Sequence, residues 1–452
     1  MTDPSVHALR RAPGNIEELA IPRSLVEDLF MRRLVLERTS TVTGISRALG
    51  ISTAIGRDVA DDLRDRHLIE YQGLEGRDYR AALTELGNRV ALDRMQTTTY
   101  ASTAPVSLHD YTTTVMAQRA SSIVNRESIR AAFSDLVIED HVLDQLGPAF
   151  MNEGAIFLYG PPGTGKTSLA ERMIRIHRDA VLVPWTVTVD GSIISVFDPS
   201  VHNALPEQPP DLDPRWVLCE RPIIMVGGEM DLKMVELEYD TVSGVYNAPL
   251  QMLANNGILV VDDFGRQGFR PDALLNRWIM PLARGIDFLR LGSGTKMTIP
   301  FELKLVASTN LDPKALGDEA FLRRLRNKVY IGPISENAFN WILVRVAKTR
   351  GIEVNADDAA YLRSVAIENI GELRPYLVTD FCELMEGICA YEQVPKRLDR
   401  QMIDRVAMVY FVNTMAGSGE ARDLSAPHVP PTPVTHLDTA PASMPASALS
   451  SI

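Results

Sequence analysis

Hydrophobic and polar positions follow two rhythms along the chain. In its middle lie three short apolar runs, over residues 155–159, 257–261 and 304–310. Each ends in glycine or polar residues and reads as a strand buried on both faces, the habit of parallel sheets. Behind them, residues 333–412 keep a helical period, at 339–349, 357–367, 377–391 and 400–413. In front, Leu25, Leu29, Leu34 and Leu36 mark a helix ending at Glu37. A short helix over 43–49, a turn at Gly50-Ile51-Ser52 and a longer helix over 53–67 come next. Residues 71–83 then alternate around Gly73 and Gly76 as a β-hairpin, and 84–95 close with a helix. Residues 1–20 form a polar lead-in. Residues 97–121, rich in Thr, Ser and Ala, predict a linker with little core-forming capacity. Amphipathic turns at 129–136 and 142–151 lead into the central strands. The Pro-, Ala-, Ser- and Thr-rich segment 416–452 has too little apolar surface to order itself.

The chemistry sits where the first central run ends. Gly160, Pro161, Pro162, Gly163, Thr164, Gly165, Lys166, Thr167 and Ser168 follow it directly, and a helical pattern starts at Thr167. Strand, glycine-rich loop and helix at this spacing fit a phosphate-binding loop. The glycines let the backbone turn its N–H groups toward phosphate oxygens, and the new helix adds its positive end. Lys166 is expected on the β- and γ-phosphates, and the Thr167 hydroxyl on Mg²⁺. The second run ends in Asp262 and Asp263. That ending resembles a Walker B motif, and the resemblance implies that Asp262 holds Mg²⁺ through water and Asp263 polarises an attacking water. Bound ATP and Mg²⁺ are therefore the expected ligands.

Composition narrows the class without naming it. The 452 residues leave room for about three domains. A net charge of −12 argues against a surface built wholly for nucleic acid. Cys219, Cys382 and Cys389 make no metal or disulfide framework and suit a reducing cytoplasm, and the eight histidines show no paired ligand spacing. No apolar run is long enough to span a bilayer, and residues 1–22 lack a signal-peptide core.

With the third run ending at Asn310, the chain over 122–415 resembles the AAA+ ATPases. The resemblance implies an α/β P-loop core, a parallel sheet flanked by helices, over 122–332, with an α-helical lid over 333–415. It makes Asp262–Asp263 a Walker B pair, with an aspartate, one methylene shorter, where most relatives carry glutamate. Asn310 becomes sensor 1. Arg323 and Arg324, with Arg326 as a weaker third, become arginine fingers acting on a neighbouring subunit's nucleotide, and Arg374 becomes sensor 2. Fingers require a homo-oligomer, and a hexameric ring is implied. A hairpin over 286–301 just before sensor 1 looks like that of MoxR-type chaperone ATPases and bacterial enhancer-binding activators. The long interval 185–245 is expected to hold an insertion that grips an unknown protein substrate in the pore, with Tyr239, Val245 and Tyr246 as gripping residues. A hairpin packed on the ring's outer surface is the equal alternative.

Residues 21–96 resemble a winged helix-turn-helix domain. Arg57, Arg64 and Arg66 on its groove-facing helix are matched by Asp58, Asp61, Asp62 and Asp65, and the segment has no lysine. Protein docking is slightly favoured over DNA binding, for which Arg77 and Arg80 on the wing are the best contacts. The leading expectation is an ATP-driven machine that remodels a protein. A DNA-bound regulator or loader switched by ATP is the alternative.

Overall fold

The computed structural model describes residues 10–119, 124–152, 154–313 and 326–411. Its centre is a parallel five-stranded sheet built from β1 (Ile156–Tyr159), β2 (Ile223–Val226), β3 (Ile258–Val261), β4 (Lys304–Thr309) and β5 (Asn327–Tyr330). Their spatial order is β2-β3-β4-β1-β5. Successive side chains of a strand point to opposite faces, so each apolar run feeds two cores. Ile156, Leu158, Val260, Val306 and Val329 pack with Leu146, Phe150 and Leu169 on one face. Phe157, Leu259, Val261 and Leu305 pack with Leu274, Trp278 and Phe301 on the other. Each such fully buried side chain contributes about 1.5–3 kcal/mol. This is a mixed α/β fold of P-loop type, with helices on both faces of the sheet.

The interval 185–245 differs from expectation. Its Ile223–Val226 run is β2, the edge strand of the central sheet, paired in register with β3. The rest builds a second β body. Ala180–Pro184 pairs antiparallel with Trp216–Glu220. Strands Glu238–Asp240, Val245–Asn247, Ser192–Ser195, Thr186–Val189 and Val106–Ser107 form a mixed sheet in that order. Val245 and Tyr246 are 5% and 8% exposed, so neither is placed to grip a partner. The Tyr246 hydroxyl instead accepts from the Gly292 N–H at 2.8 Å, which ties down the turn of the hairpin Ile286–Arg290 and Lys296–Pro300. Tyr239, at 46% exposed, remains open to solvent.

Residues 97–119 are also more ordered than a linker. Val106–Ser107 joins the second sheet, and the Ser107 side chain caps helix Leu108–Ala117 by accepting from the Asp110 N–H. Tyr111 and Val115, one helical turn apart, are buried from that helix into the second β body. The low-complexity composition hides a serine cap and an apolar pair at helical spacing.

The N-terminal body comprises helices Arg23–Glu37, Val42–Ala48, Thr53–Asp65 and Glu85–Met95 around a small antiparallel sheet. The strand order there is Thr39–Thr41, Asp78–Leu83, Ile69–Glu75. Thr41, Ser52 and Thr84 cap three of the helices. Gly56 lets two of them cross closely, since a Cβ there would lie 1.9 Å from Ser46 Oγ. The core of this body also takes in Ile193 and Val245 from the second sheet. The buried Arg215 guanidinium clamps the contact, pairing with Asp213 at 2.8 Å and donating to the carbonyls of Leu19 and Pro105. At the other end, Glu336–Arg350, Ala356–Ile370, Pro375–Glu392 and Arg400–Tyr410 form a helical unit with its own core, in which Cys382 and Cys389 are buried as small apolar groups. Among the described residues, no helix is long and apolar enough to cross a membrane.

Candidate nucleotide site

The strand order brings the C-terminal ends of β1, β3 and β4 side by side, and the site lies there. β1 runs into the glycine loop. Gly160, Gly163 and Gly165 take φ of 147°, 76° and 92°, a region that side chains resist. Gly160 also lies against β5, where a Cβ would stand 2.1 Å from the Ile331 carbonyl oxygen. Gly165 caps helix Lys166–Arg172 without a side-chain acceptor, so the first N–H groups of the helix face the loop.

Lys166 is 5% exposed. Its Nζ donates to the carbonyls of Gly160 at 3.0 Å and Pro161 at 2.7 Å. Burial lowers its pKa, and the nearby carboxylates of Asp262 and Asp263 oppose that shift. A loop that holds a buried ammonium on its own carbonyls has a ready partner for a phosphate oxygen. Thr164 Oγ1 donates to the Pro161 carbonyl at 3.0 Å, which stiffens the turn.

Thr167 Oγ1 donates to Asp262 Oδ2 at 2.8 Å, joining residues far apart in the chain. A hydroxyl and a carboxylate together form the hard-oxygen pair that suits Mg²⁺, whose other positions go to phosphate and water. Asp262 Oδ1 accepts from the Asp263 N–H at 3.0 Å. Asp263 itself takes φ 46°, left-handed for a residue with a side chain. Its Oδ1 accepts from Asn310 Nδ2 at 2.9 Å, so the ends of β3 and β4 meet through these two residues. Phe264 N–H to Ser308 O and Thr309 Oγ1 to Phe264 O, both 2.7 Å, lock the same junction.

The helical unit closes over the loop. Arg374 Nη1 donates to the Pro162 carbonyl at 3.1 Å, while its Nε is held by Glu372 at 2.7 Å. Tyr376, in the first turn of helix Pro375–Glu392, lies on Gly163. Between loop and helices lies a cavity of about 760 Å³. Residues 163–169 floor it, Asp262, Asp263 and Asn310 form one wall, and residues 135–139 with Ile342, Arg345 and Val346 form the other. That volume falls within the range of small-molecule sites.

Gly163 to Ser168, Asp262, Asp263 and Asn310 thus line one cavity. Gly160 and Pro161 stand behind it, holding Lys166, and Pro162 accepts from Arg374 beside it. Arg323 and Arg324 lie outside the described residues. Arg326, at the start of β5, is exposed. Sequence reasoning missed Tyr376, Glu372 and the 135–139 wall. It also missed Gln267, a buried amide five residues beyond Asp262. For Tyr376 the available signal was an aromatic two positions past Arg374 at a helix start. The 135–139 wall shows no motif.

The family model described as a domain of unknown function (DUF8689) matches residues 335–409, within the helical unit. No curated protein matches the chain. Among solved structures, the chain is similar to NtrX from Brucella abortus at 13% identity and TM-score 0.39, covering 60% of this chain. It spans only 55% of that protein. Thermotoga maritima RuvB, a Holliday junction branch migration motor, is 15% identical over 65% of this chain and 72% of its own, at TM-score 0.36. The BchI–BchD complex of magnesium chelatase is 16% identical over 63% and 92%, at TM-score 0.31. Strand order and loop chemistry, rather than these likenesses, make the cavity the candidate site.

Proposed function

We propose that the chain is an ATP-hydrolysing AAA+ ATPase that assembles into a ring and remodels a bound protein. The observation that supports this reading is the Thr167–Asp262 hydrogen bond at 2.8 Å, which brings together, beside a glycine loop, the two oxygens proposed to hold Mg²⁺. Mg²⁺, when bound, would neutralise phosphate charge and orient the γ-phosphate. In this reading the loop N–H groups and Lys166 hold the triphosphate of the substrate. Asn310 orients Asp263, and Asp263 accepts the proton of the attacking water. Arg374, already over the loop, reports the γ-phosphate to the helical lid. Arg323 and Arg324 are proposed to complete a neighbour's site. The hairpin at 286–300 and the exposed Tyr239 are proposed to face the partner protein.

The N-terminal body is read as a winged-helix domain used for protein docking. Its arginines are largely neutralised from within. Arg64 pairs with Asp61 and Asp65, Arg66 with Glu27 and Asp62, Arg23 with Asp58, and Arg80 with Glu75. Such pairing leaves little positive charge to displace counterions from duplex DNA. The test of the main reading is steady-state phosphate release with ATP and Mg²⁺, alongside the sedimentation of the chain with and without nucleotide. Hydrolysis that depends on assembly supports it. Full-speed hydrolysis by a monomer, or no nucleotide binding at all, refutes it.

A further inference from the structure

A buried amide beside the two aspartates has no role in the hydrolysis as proposed. Gln267 is 8% exposed, and every polar atom of its side chain is engaged. Its Oε1 accepts from the Gly265 N–H at 2.8 Å. Its Nε2 donates to three backbone carbonyls: Asp262 at 3.0 Å, Gly227 at 3.2 Å and Asp263 at 3.3 Å. An amide nitrogen carries two hydrogens, so three acceptors share them and the orientation of the group is set. Gly227 follows β2 and Asp262 follows β3, so this one side chain ties together the ends of two neighbouring strands.

What it ties is the unusual part of the backbone. Asp263 at φ 46° keeps a conformation that a side-chain-bearing residue holds only when its surroundings impose it. The Arg266 N–H closes the same turn on the Asp263 carbonyl at 2.9 Å. The carboxylate at 263 is one methylene shorter than glutamate. Its reach to Asn310 therefore depends on where the backbone carries it. We infer that Gln267 is a positioning residue for hydrolysis: it holds the Asp262–Asp263 turn so that the short carboxylate stands against Asn310. This inference rests on the ATPase reading and deepens it.

Two substitutions in the full chain test it. Gln267→Met keeps length and volume but removes the amide. Gln267→Glu keeps the shape and turns an acidic oxygen toward the three carbonyls. Phosphate release at saturating ATP and titration of a fluorescent ATP analogue are measured on both. The expected result is a kcat lower by about 10²-fold, the scale of a misplaced catalytic group, with nucleotide affinity held within about threefold. On an Asp263→Asn background neither change lowers the residual rate further, because Gln267 acts through that carboxylate. Three results overturn the inference. One is a variant that binds nucleotide and turns over like the wild type. Another is loss of nucleotide binding in both variants, which would make Gln267 a support of the whole pocket. The third is independent losses that multiply in the double variant. A wild-type chain that never hydrolyses ATP sinks the ATPase reading and this inference together. A hydrolysing wild type beside an indifferent Gln267 variant sinks only the latter.

Discussion

Replacing Gly163 by alanine separates two demands that the glycine loop makes on one residue. The backbone there has φ 76°, and a new Cβ would stand 2.1 Å from Cδ1 and 2.5 Å from Cε1 of Tyr376. The first demand is intrinsic. A left-handed conformation costs a side-chain-bearing residue about 1–2 kcal/mol, which corresponds to about 5–30-fold in an equilibrium. The second is steric. Carbon atoms settle at about 3.5–4.0 Å, so the ring must retreat by about 1.5 Å. Tyr376 opens the helix that follows Arg374, so the arginine is displaced from the loop along with it. Gly163→Ala is therefore expected to weaken nucleotide binding by more than about 100-fold. Gly163→Ala/Tyr376→Ala removes the clash but not the backbone strain, and should bind within about 5–30-fold of Tyr376→Ala alone. Equilibrium titration of a fluorescent ATP analogue reads both values. A Gly163→Ala chain that binds like the wild type refutes the reasoning, as does a double variant no better than the single one.

Lys166→Ala should abolish nucleotide binding, whereas Asp263→Ala should bind ATP and fail to release phosphate; normal turnover by the second variant would remove Asp263 from its assigned role. Arg215→Met leaves Asp213 buried without its cation, a loss of about 3–5 kcal/mol. It should lower the thermal midpoint and open the N-terminal body to limited proteolysis, and an unchanged digestion pattern would contradict the clamp. His177 is half-buried and its pKa is lowered to about 4, chiefly by desolvation and then by Arg221. Since the unfolded imidazole takes up its proton first, stability should fall as pH drops from about 6.5 to about 4. His177→Leu should flatten that slope in denaturant titrations, and an unaltered slope would show that another group sets it. Duplex DNA should not be shifted in gels by the full chain at moderate salt. A salt-sensitive shift lost on Arg77→Ala/Arg80→Ala would restore the DNA-binding alternative.

Three strands of the central sheet, β1, β3 and β4, were legible because they are buried on both faces. Ile258–Val261 and Ile156–Tyr159 are uninterrupted apolar runs, and each ends in residues that only a functional turn would place there. The helical unit was legible for a related reason, since its four helices keep the period and three begin at Ser335, Asn355 and Asp399 side-chain caps. β2 was harder to see. As an edge strand of four residues it carries half-exposed positions at Ile223 and Met225, and it sits among strands of a different sheet. Nothing in Val245–Asn247 or Val106–Ser107 announces a pairing with residues far along the chain, because two- and three-residue strands carry too little pattern. The site followed the same division. Residues with a fixed spacing, from Gly160 to Ser168 and at Asp262–Asp263, could be read directly. Glu372, Tyr376 and the 135–139 wall became visible only when the helical unit was seen resting on the loop.

The contact between the N-terminal body and the second β sheet has a consequence for how the chain is made. Residues up to Ala104 leave the ribosome well before Ile193 and Val245, which complete the same core. At 5–20 residues per second the gap to Val245 lasts about 7–28 s. For that interval the leading part of the newborn chain exposes oily surface with nothing yet to cover it. Slow codons or a holding chaperone would matter most there, and the front of this protein is poorly suited to being moved as a cassette onto another enzyme.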